Sequence, residues 1–211
     1  MNIVLFGKPG AGKGTQAPKI AEALGVPTLA TGNVLRAAVR EGTPMGRKAK
    51  AFMDRGDLVP DDVILGIVAE ELAKREYQNG VVLDGVVRTV PQAEGLADML
   101  KSLGRKVDAV VSLEVPDEEI VRRMAMRTVC STCQTPYSDR KPGDKCDNCG
   151  GLVVRRSDDE PEAVRNRLKV FESQTAPVFE WYKRSGARLL VVNAAGAVKD
   201  VTQRVLHALG R

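Results

Sequence analysis

Residues 2–13 constrain the fold more than any other stretch of the chain. Asn2–Phe6 is a short apolar run with β-branched residues and reads as a buried strand. It leads into Gly7-Lys8-Pro9-Gly10-Ala11-Gly12-Lys13, a G-x-x-x-x-G-K loop, and then into a helical stretch, Lys13–Leu24, closed by Gly25 and Pro27. In a strand–loop–helix setting the glycines let the backbone wrap a phosphate, with N–H groups pointing inward. The helix N-terminus adds a favourable dipole. Lys13 can reach the outer phosphates. Gly14 stands where Ser or Thr is usual, and the hydroxyl comes one residue later, at Thr15. The alternative is a glycine turn with a purely structural role. The context favours a nucleoside triphosphate but does not say what becomes of it.

The rest of the chain alternates. Strands are expected at Val81–Asp84, Val107–Glu114 and Arg188–Asn193. Helices are expected from Thr31, as N-cap, to about Arg40, and at Gly46–Arg55, Asp61–Tyr77, Pro91–Leu103, Pro116–Arg127 and Val198–Leu209. Ser157-Asp158-Asp159-Glu160 has the form of a capping box opening a further helix toward Arg184. Strand–helix alternation is the signature of a parallel sheet with helices on both faces. Two stretches break it, about 31–60 (all helical) and about 128–158, and both read as excursions from one core. At 211 residues, a single domain with insertions is expected.

All four cysteines, Cys130, Cys133, Cys146 and Cys149, lie within twenty residues as C-x2-C-x12-C-x2-C. Two such knuckles can place four thiolates around one zinc; two disulfides are the alternative. No signal peptide is seen ahead of the first strand, so a reducing, cytoplasmic setting is expected. The net charge of +5 is local: residues 122–169 hold 11 basic and 7 acidic side chains, which calls for an anionic partner. No stretch approaches the roughly 20 apolar residues of a membrane span, so a membrane partner is not expected. The few aromatics, Phe 4, Tyr 3 and Trp 1, argue against a stacking platform for single strands.

The string Gly7-Lys-Pro-Gly-Ala-Gly-Lys-Gly-Thr15-Gln16 resembles the adenylate kinase family, and later motifs agree in order and spacing. Thr31-Gly32-Asn33-Val34-Leu35-Arg36 is similar to that family's T-G-D-x-L-R, and Gly56-Asp57-Leu58-Val59-Pro60-Asp61 to its G-x-L-V-P-D. Leu83-Asp84-Gly85-Val86-Val87-Arg88-Thr89 with Gln92 is similar to D-G-F-P-R-T-x-x-Q. Arg156-Ser157-Asp158-Asp159 with Arg165 and Arg167 is similar to R-x-D-D…R-x-R, and the cysteines fall where long-lid bacterial forms carry a structural zinc.

The resemblance implies an α/β phosphate-loop kinase with a five-stranded parallel sheet flanked by helices. It divides the chain into a core (1–30, 61–127, 159–211), a helical monophosphate-binding insertion (31–60) and a zinc-binding lid (128–158). The implied reaction is Mg-ATP plus AMP to two ADP, by a monomer, with structural Zn2+ and with Mg2+ arriving on ATP. Lys13, Asp84, Arg88, Arg123, Arg156 and Arg167 are the implied catalytic residues. ATP is expected at Gly10, Ala11, Gly12, Lys13, Gly14, Thr15, Arg123, Arg127, Pro136, Tyr137 and Ala195. AMP is expected at Thr31, Arg36, Asp57, Leu58, Val59, Gly85, Val86, Val87, Arg88, Gln92, Arg156 and Arg167, with Gln92 on the adenine edge. Asp84 would orient magnesium-bound water; a turn or cap role is the alternative.

Several residues depart from the family pattern. Asn33 replaces an aspartate, Val86-Val87 replace Phe-Pro, and in the lid hinge Met126 and Thr128 stand where Gly and Arg are usual. A carboxylate at 33 would bond magnesium-bound water; a plain helix cap is the alternative there. Two rival functions stay open: a kinase for UMP or CMP, and a zinc-ribbon nucleic-acid binder. Four thiolates on zinc would add a charge of about −2 to the basic segment, which weakens the second, and no nucleic acid is expected as partner. The one histidine, His207, carries no role in this reading.

Overall fold

The computed structural model describes residues 1–211. In chain order its elements are β1 (Asn2–Phe6), α1 (Lys13–Leu24), β2 (Thr28–Ala30), α2 (Thr31–Glu41), α3 (Pro44–Arg55), α4 (Asp61–Leu72), β3 (Val81–Asp84), α5 (Val90–Ser102), β4 (Ala109–Glu114), α6 (Asp117–Met126), β5 (Thr128–Cys130), β6 (Pro136–Tyr137), β7 (Val153–Val154), α7 (Pro161–Val170), α8 (Ala176–Arg184), β8 (Leu189–Asn193) and α9 (Val198–Leu209).

Five strands form one parallel sheet in the order β2-β3-β1-β4-β8. All of β1 is buried, and its side chains alternate between two cores. Ile3 and Leu5 face α1 and α9 through Ile20, Val201 and Val205, whereas Val4 and Phe6 face Leu96, Leu100 and Val178 on α5 and α8. Burial on both faces explains why these strands read as unbroken apolar runs. The chain leaves β1 toward β2 and β3 and returns to its other side with β4. That reversal opens a crevice at the carboxyl ends of the strands, where open α/β sheets bind ligands. Leu5 pairs with Asp84 there, so the loop after β1 and the end of β3 lie side by side.

β2 was not legible as a strand. Its three residues are too few to show a period, and pairing with β3 alone defines it. The segment 128–158 carries its own antiparallel sheet, β6-β5-β7, likewise built from two- and three-residue strands. Several expected helix limits also shift. Thr31 is the first residue of α2, behind Ala30 as cap, and its hydroxyl donates to the Gly85 carbonyl (3.0 Å). Asn33 therefore sits inside the helix and does not cap it. α4 stops at Leu72, and Arg75–Tyr77 forms a separate 3-10 turn.

Ser157–Asp159 is a 3-10 turn and not a capping box. Its Ser157 hydroxyl donates to Asp54 Oδ1 (3.0 Å), and α7 begins at Pro161, whose missing N–H suits a first helical position. The helix expected to run to Arg184 is interrupted by a π turn, Phe171–Thr175, because Pro177 has no N–H to return to Ser173.

Candidate active site

The loop between β1 and α1 is shaped by residues without side chains. Gly10 has φ +86°, and a Cβ there would meet Met124 Cγ at 2.9 Å. Gly12, φ +100°, caps α1 without any side-chain hydrogen bond, and no acidic residue occupies the first turn. The leading N–H groups of α1 are thus available to an anion. Lys13 Nζ donates to the carbonyls of Gly7 (2.6 Å) and Lys8 (3.1 Å), spanning its own loop. Burial pushes its ammonium down to about 8, against partial support from Asp84. A Cβ on Gly14 would lie 3.3 Å from Asp84 Oδ2, so the start of α1 and the end of β3 pack closely here.

Around this loop the fold gathers arginines from distant segments. Arg88, in the turn after β3, gives its Nε to the Gly85 carbonyl (3.1 Å). Arg123, on α6, is held by Glu119 (2.8 Å) and the Ala194 carbonyl (3.0 Å). Arg127 forms a two-bond pair with Asp159, Nε to Oδ2 at 2.7 Å. Arg156 forms a similar pair with Asp158, and Arg167 reaches the Asp158 carbonyl (2.9 Å) and Asp159 Oδ1 (3.0 Å). Burial works against the charge of Asp158, but Arg156 and Arg167 hold its carboxyl far below the usual carboxylate range. Burial pushes Arg88 and Arg167 downward, and burial together with the nearby Arg156 does the same to Arg36. Burial also works against Arg156, but Asp158 beside it raises it above its ordinary value; a set of cations disfavoured by burial and by one another suits an anionic ligand.

Two adjoining cavities share these arginines. The larger, about 790 Å3, is lined by Gly10–Thr15, Asn33, Asp84, Arg123, Arg127, Pro136, Tyr137 and Met126. The smaller, about 60 Å3, is lined by Thr31, Asp57, Leu58, Val59, Gly85 and Gln92, with Met53 and Ile64 as an apolar wall. Arg36, Arg88, Arg156 and Arg167 border both. Three sequence-predicted site residues stand apart from these walls. Val86 and Val87 are buried in the core, Val87 beside a separate small cavity under Phe171. Ala195 has its N–H on Asn193 Oδ1 and its carbonyl under Arg204; its neighbours Ala194 and Gly196 line the larger cavity instead.

Gln92 is buried with both side-chain groups engaged, Oε1 with the Arg88 N–H (2.7 Å) and Nε2 with Asp61 Oδ1 (2.8 Å). Sequence reasoning assigned no role to Asp158 and Asp159 beyond their motif, although they orient three of the arginines. It also missed Gln134, which lines the larger cavity. The D-D that follows Arg156 was the available signal for the first pair; nothing in the local pattern marked Gln134.

The four cysteine Sγ atoms lie within 4.8 Å of one another, and none is in a disulfide. Cys130–Cys149 and Cys133–Cys146 are 3.5 Å apart, against about 2.05 Å for a disulfide and about 3.8 Å for the edge of a tetrahedral zinc–thiolate site. The N–H groups of Thr132 and Cys133 point at Cys130 Sγ (3.3 and 3.4 Å), and the Tyr137 hydroxyl contacts Cys146 Sγ (3.2 Å). Donors converging on sulfur suit thiolates that ligate a metal.

Fold and site together define a phosphate-loop kinase: a parallel sheet with the loop at its switch point, and two adjoining cavities that share four arginines. Residues 5–187 match the family model described as adenylate kinase. The chain is 57% identical over 211 residues to the adenylate kinase of Gemmatimonas aurantiaca, covering 99% of each protein. It is 49% identical to that of Trichlorobacter lovleyi, again over 99% of each, and 46% identical to that of Methanosarcina barkeri, over 99% of this chain and 98% of the other. The chain belongs to the adenylate kinase family, a family of nucleoside monophosphate kinases. No helix is long and apolar enough to cross a membrane.

Proposed function

We propose that the chain moves the γ-phosphoryl group of Mg-ATP reversibly onto AMP, giving two ADP, and so balances adenine nucleotides. The observation that carries this is the row of buried arginines shared by the two cavities, Arg36, Arg88, Arg156 and Arg167, together with Lys13 in the larger one, whose charge exceeds that of the carboxylates among them. An oxygen of the AMP phosphate attacks the γ-phosphorus, the bond to the β–γ bridging oxygen breaks, and the electron pair leaves on ADP. The attacking phosphate is already anionic, so no general base is needed, and catalysis rests on positioning and charge stabilisation.

The triphosphate lies on the loop 10–15 in the larger cavity, with Lys13, Arg123 and Arg127 on its phosphates and Pro136 and Tyr137 from the lid over it. AMP lies in the smaller cavity, its phosphate between Arg36 and Arg88, and its base near the 57–59 backbone and Gln92. Arg156 and Arg167, bordering both, face the group in flight. Magnesium bound with ATP would supply charge neutralisation across the phosphates, and Asp84, which lines the larger cavity, would be the carboxylate to hold its bound water. In this reading 1–30, 61–127 and 159–211 form the core, 31–60 the monophosphate-binding region and 128–158 the lid, stiffened by one Zn2+ on the four cysteines. A monomer is the working unit in this reading. Four unpaired thiols suit the reducing cytoplasm.

A coupled ADP-formation assay across AMP, CMP, UMP and GMP tests the proposal: turnover should be strongly selective for AMP, and equal turnover of UMP or CMP would overturn the substrate assignment. Asn33 supplies a second test. Its Oδ1 accepts from Arg36 NH2 at 2.5 Å, a neutral acceptor on a guanidinium meant for phosphate. Asn33→Asp should make that contact an ion pair, take up part of the charge intended for AMP, and raise the KM for AMP by roughly fivefold. An unchanged KM would remove residue 33 from the AMP-phosphate site.

A further inference from the structure

Of all 211 residues, Gln134 alone adopts a left-handed backbone conformation without being glycine (φ +61°). A side chain there is strained, and such strain persists only where the surroundings hold it. It sits directly after Cys133, at the end of the first cysteine knuckle. Its carboxamide is fixed on both sides. Nε2 donates to the carbonyls of Cys130 (3.1 Å) and Ser131 (3.2 Å), which leaves Oε1 to accept from Arg36 Nε at 2.7 Å, across 98 residues of chain. Arg40, one turn further along α2, grips the same knuckle through the Ser131 carbonyl (2.9 Å).

We infer that Gln134 is a positioning residue for AMP: it orients Arg36 toward the acceptor phosphate, and it does so only while the cysteine knuckle is seated on α2. The inference rests on the reading of Arg36 as an AMP-phosphate ligand. The guanidinium is held by two amide oxygens, from Gln134 and Asn33, and neither carries charge. A carboxylate in place of Gln134 would fix the fork equally well but offset its charge. Neutral acceptors fix its plane and leave its full charge to the incoming phosphate. Because one acceptor belongs to the 128–158 segment, the AMP site is completed by a residue that otherwise roofs the triphosphate cavity. Binding on one side of the reaction is thereby tied to closure over the other.

The test is a double-mutant cycle between Gln134→Gly and Arg36→Ala, read as kcat/KM for AMP with the KM for ATP alongside. Glycine accepts φ +61° without strain, so the knuckle is expected to keep its fold. Gln134→Gly should lower kcat/KM for AMP by about tenfold, the scale of one charge-assisted hydrogen bond, a larger loss than any accompanying rise in the KM for ATP. On the Arg36→Ala background the same substitution should add nothing. Gln134→Asn, which also tolerates this conformation but is one methylene too short to bridge, should behave like the glycine variant. An unchanged kcat/KM for AMP in Gln134→Gly overturns the inference. So does an equal loss on the Arg36→Ala background, which would mark a structural role. If Arg36→Ala itself leaves kcat/KM for AMP unaltered, the AMP-site reading falls and the inference with it.

Discussion

Lys13→Ala should lower kcat by about 10²-fold or more while the fold survives. The side chain is bonded only to the carbonyls of Gly7 and Lys8, and it lies in the larger cavity beside the N-terminus of α1. Phosphate oxygens would take the place of those carbonyls, and the ammonium would stabilise charge that grows on the leaving phosphate. Stability should not fall at pH 7. The ordinary value of the group is 10.5 and its folded value about 8, so the ammonium costs stability below pH 8. That cost is relieved as pH rises from 8 to 10.5, and Lys13→Ala should abolish this rise. Binding of a triphosphate restores the charge, so binding should take up a proton above pH 8 and weaken as pH increases. Calorimetry of a non-hydrolysable ATP analogue in two buffers of different ionisation heat at about pH 9 reads that proton directly. Near-normal turnover in Lys13→Ala, or binding without proton uptake, would remove Lys13 from the phosphate site.

Loss of the lid metal should have the largest effect on stability. The segment 128–158 has three strands of two or three residues each and a core of little more than Val129, Val153, Cys130 and Cys146. So small a unit needs a staple, and a four-thiolate zinc site supplies one. One zinc per chain is expected in protein purified without chelator. Cys146→Ser should lower the melting temperature by about 10 °C or more, with far less effect on the choice among monophosphates. Arg127 and Arg156 are tied to Asp159 and Asp158 at the foot of the lid, so turnover should decline as the lid loosens. Native protein purified without chelator that holds no zinc, or that melts at the same temperature as Cys146→Ser, would show that the cysteines pack without metal.

The parts of the fold and site legible in the sequence were those encoded over a short span. The loop 7–13 could be read because its glycines and lysine act through the local backbone, and the C-x2-C pairs because a knuckle is a local turn. β1, β3 and β4 announced themselves as apolar runs because both faces of a parallel sheet are buried. β2 could not: three residues carry no period, and its pairing with β3 alone makes it a strand. Thr31 and Ser157 read as caps from their neighbours. Tertiary partners, the Gly85 carbonyl and Asp54, claimed both hydroxyls, since a hydrogen bond to a fixed distant acceptor competes on equal terms with one to the helix N-terminus.

By itself the sequence determined the class of chain: phosphate loop, parallel sheet, a four-cysteine unit and arginines in matching motifs. Only the tertiary structure decided how those arginines share charge. Asp159 holds Arg127 across 32 residues, and Gln134 meets Arg36 across 98, neither of them visible in spacing. The reason is physical. Periodicity and turn chemistry act within a few residues, whereas the energy of a buried charge depends on which groups the whole fold brings within a few ångströms of it.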